Sequence, residues 1–412
     1  MTQHLHATEK KSGSTRSILI LGASRYQLEV IGAARTLGLR VVTVDNVPSN
    51  PGHALADRAY FVDTTAETEV LGVAENEHVS AVIAACTDVA VPTAALVAER
   101  LGLPGIPVNA ARVLTSKLEF RCFQRKSALA TMEFAEATEP LGQDARTLLE
   151  AGACVVKPDR SSGSKGIFIV NSVREFAECV GEAKRYSLNG KAIVERFLWG
   201  SQGTCEGLAF GGAVRFACFT DRATVPPPHT ATAAHFVPSN FSVAQKRGVL
   251  DSIEAVFALT GIRNTPFDCD FVVHEGRPYV IELTPRLGGN SLSKLIRAAY
   301  GLDMAACGVG LACGEDLTSM PVPQLVRPTA EVILGVEREG RLAYDEAALA
   351  ALRQQPWLVE LNMDYPAGAH VQPFRNGRDR VGEATLVAES RQKLDELVAS
   401  LRVRLGLKVV DV

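Results

Sequence analysis

The stretch from Pro266 to Tyr300, PFDCDFVVHEGRPYVIELTPRLGGNSLSKLIRAAY, constrains this chain most, because it reads as strand, turn, strand, glycine loop and helix. In the first strand Asp268, Asp270 and Val272 alternate with Cys269, Phe271 and Val273, which puts two carboxylates on one face. In the second, Val280, Glu282 and Thr284 alternate with Tyr279, Ile281 and Leu283, and Glu275-Gly276 supplies the turn. Asp270 and Glu282 meet only if the strands pair in register, since a one-residue slip would put them on opposite faces. Carboxylates among β-branched and aromatic neighbours are expensive to desolvate without a cation between them. Mg²⁺ suits such a pair, because it takes one or two protein carboxylates and fills its octahedron with phosphates and water. Arg286 follows as a fixed cation, and the backbone amides of Gly288, Gly289 and Asn290 can approach an anion closely. A helix starting at Asn290 or Ser291, with Leu292, Leu295, Ile296 and Ala299 as its stripe, would point its positive end at the same place. Taken one at a time, these residues fit an ordinary hairpin with solvated acids equally well.

A chain of 412 residues exceeds the size at which one core stops growing, so two or three domains are expected. A formal charge of −3 gives no general reason to bind nucleic acid or an anionic membrane. The nine cysteines include no C-x-x-C pair and sit mostly in apolar segments, which suits a reducing cytoplasm better than a zinc site. Residues 1–16 are polar and read as a disordered tail rather than a signal peptide, and no apolar run is long enough to span a bilayer.

Strand patterns at Ser17–Leu21, Arg40–Asp45 and Ala81–Cys86 alternate with helical ones, the first helix carrying Val30, Ala33, Ala34 and Leu37 on one face. This is an α/β fold with a doubly wound, parallel N-terminal domain over 17–110. Gly22 and Asp45 invite a dinucleotide reading, but the fingerprint would need glycine at Ser24 and Gln27. Ala110–Arg125 reads as one helix on which Lys117 and Arg121, a turn apart, could meet the same anion or simply form a solvated basic face. In Ala153–Val170 a strand ends at Lys157, and a loop of Arg160, Ser161, Ser162, Gly163, Ser164, Lys165 and Gly166 follows, able to fold over a triphosphate or to be a plain hairpin. Phe219–Ser242 is proline-rich and not expected to be regular throughout. After Val322 the chain changes character, and Ser390 can cap a last helix striped by Leu394, Leu397, Val398, Leu401 and Leu405.

The segment IELTPRLGG resembles the metal-binding strand of the ATP-grasp ligases, where the pattern is Ile-Glu-x-Asn-Pro-Arg; Thr284 stands where that family has Asn. The resemblance covers roughly residues 17–320. It implies an ATP-grasp domain over 111–322 with a lid at about 125–190, and a C-terminal domain over 323–412 that closes the structure or forms a dimer surface. It also implies ATP and Mg²⁺ as cofactors, with Asp270, Glu282 and Thr284 at the metal. Lys117 and Lys157 would contact phosphate, and Ser161, Ser162, Gly163, Ser164 and Gly166 would form the lid. The adenine hinge would be Glu195, Phe197 and Leu198, with Gln202 in place of a ribose-binding Glu. Lys157 and Arg286 would stabilise charge during phosphoryl transfer. His235, within AHFVPS, would face the acyl substrate, beside Arg286, Gly288, Gly289 and Asn290.

The implied activity is a carboxylate–amine ligase that makes an acylphosphate and then an amide or dipeptide, most similar to the L-amino-acid ligases. Its partners would be a small-molecule carboxylate and an amine, with a homodimer and a carrier-protein acceptor left open. Transfer to a carrier thiol is the alternative reaction. A non-catalytic ATP-binding regulator is the alternative from another class.

Overall fold

The computed structural model describes residues 16–226 and 229–410; the tail expected at 1–16 lies outside it except for Arg16, as do Pro227 and Pro228. The N-terminal sheet is parallel, with Ser17–Leu21 between Arg40–Val44 and Ala81–Ala84 and Arg58–Tyr60 at the edge. Its central strand is buried along its whole length, as a strand covered by helices on both sides must be. The first helix, Leu28–Thr36, buries Val30, Ile31 and Ala34, whereas Leu37 is exposed because the helix has already ended there. Gln27 fills the space in front of Gly22: its Nε2 donates to the Ala85 carbonyl at 2.7 Å, and a Cβ on Gly22 would lie 2.9 Å from its Cδ. Asp45 accepts from the Ala23 amide at 2.9 Å, so it braces the first turn.

The expected single helix over Ala110–Arg125 is two, Val108–Leu114 and Lys117–Lys126. Ser116 starts the second by accepting from the Glu119 amide, and Asp159, arriving from the lid, accepts from the Leu118 amide at 2.8 Å and the Ser116 hydroxyl at 2.8 Å. Two orphan donors of the new helix are thus satisfied by oxygen, which favours the break.

The span expected as the lid holds a separate four-stranded sheet with Cys154–Pro158 between Ala192–Arg196 and Phe168–Val170, and Phe134–Glu136 outside. Its core is the apolar face of Val173–Arg185, where Phe176, Cys179, Val180 and Ala183 are buried.

The central sheet has eight strands: Arg277–Thr284, Thr265–His274, Ser201–Phe210, Ala213–Thr224, Thr232–Val237, Thr329–Leu334, Gly382–Val387 and Leu358–Met363. Much of the proline-rich segment Phe219–Ser242 therefore lies within two paired strands, Ala213–Thr224 and Thr232–Val237. The C-terminal stretch, expected as a unit of its own, adds three of its strands to this same sheet, where Thr329–Leu334 pairs directly with Thr232–Val237, and folds three others, His370–Val371, Gly340–Ala343 and Lys408–Val410, into a small sheet of their own. Ser390 caps Arg391–Leu405 as expected, burying Leu394, Leu397, Leu401 and Leu405. Among the described residues no single helix is long and apolar enough to cross a membrane.

Candidate active site

The hairpin pairs as the site requires. Asp270 lies opposite Glu282 and Asp268 opposite Thr284, with a bulge after Asp270. The turn residue Glu275 has φ of 49° and Gly276 φ of 79°, a left-handed pair that closes the hairpin tightly. Both Asp270 and Glu282 open into a cavity of about 450 Å³ between the central sheet, the lid and the N-terminal sheet.

Each of these acids holds one cation. Glu282 Oε1 is 3.1 Å from Lys117 Nζ, and Asp270 Oδ2 is 2.9 Å from Arg222 NH1, while Thr204 Oγ1 donates to Asp270 Oδ1 at 2.7 Å. Burial works against the charge on Lys117, but Glu282 and then Asp88 raise its pKa above the usual lysine value. Among the described residues no group of three or more His, Cys, Asp or Glu side chains is spaced for a metal, so the pair offers two hard oxygen donors and no closed cage. Such a donor set fits Mg²⁺ shared with phosphates. Thr284, expected as a third ligand, is buried at 1% exposure and does not reach the cavity. Its carbonyl instead accepts from the Arg286 amide at 2.9 Å, within the turn that follows the strand.

Lys157 projects from the lid strand into the same cavity, its Nζ 2.6 Å from Glu195 Oε2. Arg121 Nε lies 2.8 Å from the other Glu195 oxygen, a close ion contact at an angle poor for a hydrogen bond. Burial alone would raise the Glu195 pKa, but Arg121 and Lys157 hold it down to about 2. Burial lowers the Lys157 pKa, against the pull of Glu195. Two expectations change here. Arg121 is fully buried beneath the site and donates to the Ile281 carbonyl at 2.5 Å, so it does not share an anion with Lys117. Glu195 is committed to two cations, and the Phe197 amide donates to Ala153 at 3.0 Å, so neither is free for adenine. The Leu198 amide makes no main-chain hydrogen bond among the described residues, and Phe197, Leu198 and Gln202 do line the cavity.

Ser161, Ser162, Gly163, Ser164 and Lys165 also line it, whereas Gly166 does not. Gly166 has φ of 67° and packs against Tyr186, where a Cβ would sit 2.8 Å from the ring. It is a turn residue of the lid.

Arg286 is clamped. Its NH2 is 2.5 Å from Asp88 and its NH1 2.5 Å from Asp268. Burial disfavours its charge, yet the two acids raise its pKa well above the ordinary value. Gly289 and Asn290 face the cavity, but Gly288 does not. Its amide is 2.9 Å from both oxygens of the fully buried Glu206, and a Cβ there would lie 2.2 Å from Oε2. Burial, reinforced by Asp268, raises the Glu206 pKa well above the carboxylate range. The helix that follows is Leu292–Tyr300; Ser291 precedes it in a left-handed conformation, φ 56°, and its hydroxyl donates to Glu383 at 2.7 Å instead of capping.

His235 is on a strand, 2% exposed, and lines the cavity with Nδ1 3.0 Å from Thr220 Oγ1. Burial, with Arg222 adding to it, lowers its pKa to about 3, so the ring is neutral.

The sequence reading missed Asp88, Arg222, Thr204 and Glu206. Alternation could have flagged Thr204 and Glu206, which lie two apart on the strand after the hinge; Asp88 and Arg222 carry no local signal.

A family model described as the ATP-grasp domain matches residues 151–294, and one described as the ATP-grasp N-terminal domain matches residues 31–105. An uncharacterized protein of Sinorhizobium fredii is 26% identical over 308 residues, 72% of this chain and 57% of that protein. A formate-dependent phosphoribosylglycinamide formyltransferase of Burkholderia vietnamiensis is 32% identical over 196 residues, 45% of this chain and 47% of that protein. The chain thus spans about half the length of these curated relatives. Among solved structures, an L-amino acid ligase from Bacillus licheniformis superposes with a TM-score of 0.79 at 18% identity, covering 97% of this chain and 100% of that one. A phosphoribosylglycinamide synthetase from Anaerococcus prevotii gives 0.74 at 20% identity, with the same coverage. The two matched domains, in this order and around a cavity holding paired carboxylates and lid cations, place the chain in the ATP-grasp superfamily.

Proposed function

We propose that this chain is an ADP-forming ATP-grasp ligase that joins a small carboxylic acid to an amine, with 17–110, 111–322 and 323–412 as its three divisions. The observation that carries the reading is the cross-strand pair Asp270 and Glu282, open to one cavity with Lys117, Lys157 and the serine-glycine lid. Among the similar proteins are an L-amino acid ligase and a formate-dependent transferase, names that both begin from a carboxylic acid.

Asp270 and Glu282 would hold Mg²⁺, which supplies charge neutralisation across the ATP phosphates. Lys117 would exchange Glu282 for a phosphate oxygen, Lys157 would donate to phosphate while keeping its bond to buried Glu195, and the amides of Ser161–Ser164 would close over the chain of phosphates. The acid's carboxylate oxygen attacks the γ-phosphorus and ADP leaves, giving an acylphosphate. The amine then attacks the acyl carbon, phosphate departs and the amine loses a proton. The lid excludes water between the two steps, since an exposed acylphosphate would hydrolyse. No covalent enzyme intermediate is required. Gly289 and Asn290 orient the acyl group; His235, neutral and buried, contributes a hydrogen bond rather than a charge.

The second reading, a nucleotide-binding regulator without turnover, draws on Thr284 lying off the cavity and on Asp270 and Glu282 each already holding a cation. Phosphate release from Mg-ATP, with ADP and AMP resolved, separates them when amino acids and other acids and amines are offered singly and in pairs. ADP formation that needs an acid and rises with an amine supports the ligase. AMP with pyrophosphate rejects the mechanism, and nucleotide binding without turnover under any pair supports the regulator.

A further inference from the structure

Arg222, a cavity cation in direct contact with Asp270, is left without a task by the reaction above. It sits on the strand Ala213–Thr224, its side chain 13% exposed, and each of its three guanidinium nitrogens makes a hydrogen bond. Nε donates to Thr232 Oγ1 at 2.8 Å, NH1 to Asp270 Oδ2 at 2.9 Å and NH2 to the Thr230 carbonyl at 3.4 Å. Thr232 and Thr230 fix the plane of the guanidinium, so NH1 keeps its direction whatever Asp270 does. Its strand neighbour His235 is neutral, and across the next strand Glu331, paired with His235, is fully buried with its pKa raised well above the carboxylate range by burial and then by Glu383. Asp270 is therefore its sole carboxylate partner among the described residues.

The proposed function asks Asp270 to do something else. Once Asp270 turns to a metal, a half-buried guanidinium is left facing the cavity with one side of its fork open, and such a charge is unfavourable without an anion. A planar fork matches a carboxylate better than any other small anion except phosphate. Thr230, Thr232 and His235, which lie beside Arg222 and also line the cavity, are uncharged, so none of them competes for its free side.

We propose that Arg222 is the receptor for the substrate's carboxylate, occupied by Asp270 in the resting protein and released when Asp270 is drawn to metal. The inference rests on the ligase reading for the identity of the trigger, but the receptor itself can be exposed without it. Metal–nucleotide would precede the acid, because the acid's receptor is masked until then.

Ligand-observed saturation-transfer NMR with acetate, and acetamide as its uncharged counterpart, tests this at fixed ionic strength in chloride. In the Asp270→Asn protein without nucleotide or metal, acetate is expected to bind about tenfold more tightly than to wild type, acetamide not at all, and the gain to vanish in Asp270→Asn/Arg222→Met while Arg222→Lys keeps part of it. In wild type, Mg²⁺ with the non-hydrolysable analogue AMP-PNP is expected to produce the same gain. Acetate binding that is unchanged by Asp270→Asn, or that survives Arg222→Met, overturns the receptor. The adenine protons in the same spectra report nucleotide binding separately: their silence in wild type contradicts the nucleotide reading, while the Asp270→Asn comparison still decides the receptor.

Discussion

Asp268 and Asp270 stand two residues apart on one face of one strand, yet they belong to different kinds of site. Asp268 is locked: Arg286 holds one oxygen at 2.5 Å, the other oxygen is buried without a partner, and buried Glu206 lies directly across the sheet. Asp270 is more open, with 27% of its side chain exposed against 15%, and its cation, Arg222, can be replaced. Glu195 resembles Asp268, gripped by Lys157 and Arg121 with no exposure, and Glu282 resembles Asp270. Depth separates the acids that build the site from those that can trade partners. A buried acid stripped of its cation is an uncompensated charge, whereas one at a cavity wall can turn to water or metal.

The largest expected effect is on that contrast itself. Glu195→Ala leaves Lys157 and Arg121 facing each other in the interior and should destabilise the fold by about 3–5 kcal/mol in denaturant titration. Glu282→Gln, at the wall, should cost about 0–1 kcal/mol. Equal losses would erase the distinction between locked and exchangeable acids.

Next in size is Gly288→Ala, whose new methyl would meet Glu206 Oε2 at 2.2 Å. Overpacking of this kind costs about 1–3 kcal/mol. Glu206→Gln in the same background, which keeps the shape, should not relieve it; Glu206→Ala should.

The pH dependence runs in opposite directions for two buried acids, Glu195 and Glu206. Glu195 is held down to about 2, so its stabilisation is present above the unfolded carboxylate pKa and is lost as pH falls from about 4.5 toward 2. Glu206 is raised by burial, so its contribution is most favourable below the unfolded value and declines as pH climbs through the folded one. Glu206→Gln should therefore flatten stability on the alkaline side only. Flattening on the acid side would mean that Glu206 is ionised in the fold.

The smallest effect is spectroscopic. His235 should keep neutral-imidazole chemical shifts from pH 7 down to pH 5, since its pKa is lowered to about 3 by burial and Arg222. A midpoint near that of an exposed histidine would place it in contact with solvent.

What was legible in the sequence was whatever local alternation encodes. The hairpin and its turn follow from a period of two and the Glu275-Gly276 signal, but the two-residue turn found, where a loop of three or five was expected, would by itself set Asp270 against Ile281; the bulge after Asp270, which alternation cannot show, brings it opposite Glu282. The lid followed from Lys157 and its serine-glycine run. What was not legible depends on distant parts of the chain. Asp88 reaches Arg286 across 198 positions, and Arg222 finds Asp270 across 48. The break before Lys117 is held by Asp159 from the lid, which no helical periodicity can show. Gly288 looked like an anion cradle from its neighbours, but Glu206, on another strand, claims its amide. Leu37 continued an apolar stripe past the end of its helix.

Calorimetric titration of ADP, with and without Mg²⁺, onto wild type and the Asp270→Asn/Glu282→Gln double variant tests the central claim most directly. Magnesium is expected to strengthen ADP binding at least about tenfold in wild type and to have little effect in the variant, whose magnesium-free affinity should be retained or improved because Lys117 is no longer held by a carboxylate. An undiminished magnesium effect in the double variant would contradict the account, because the metal would then be held elsewhere.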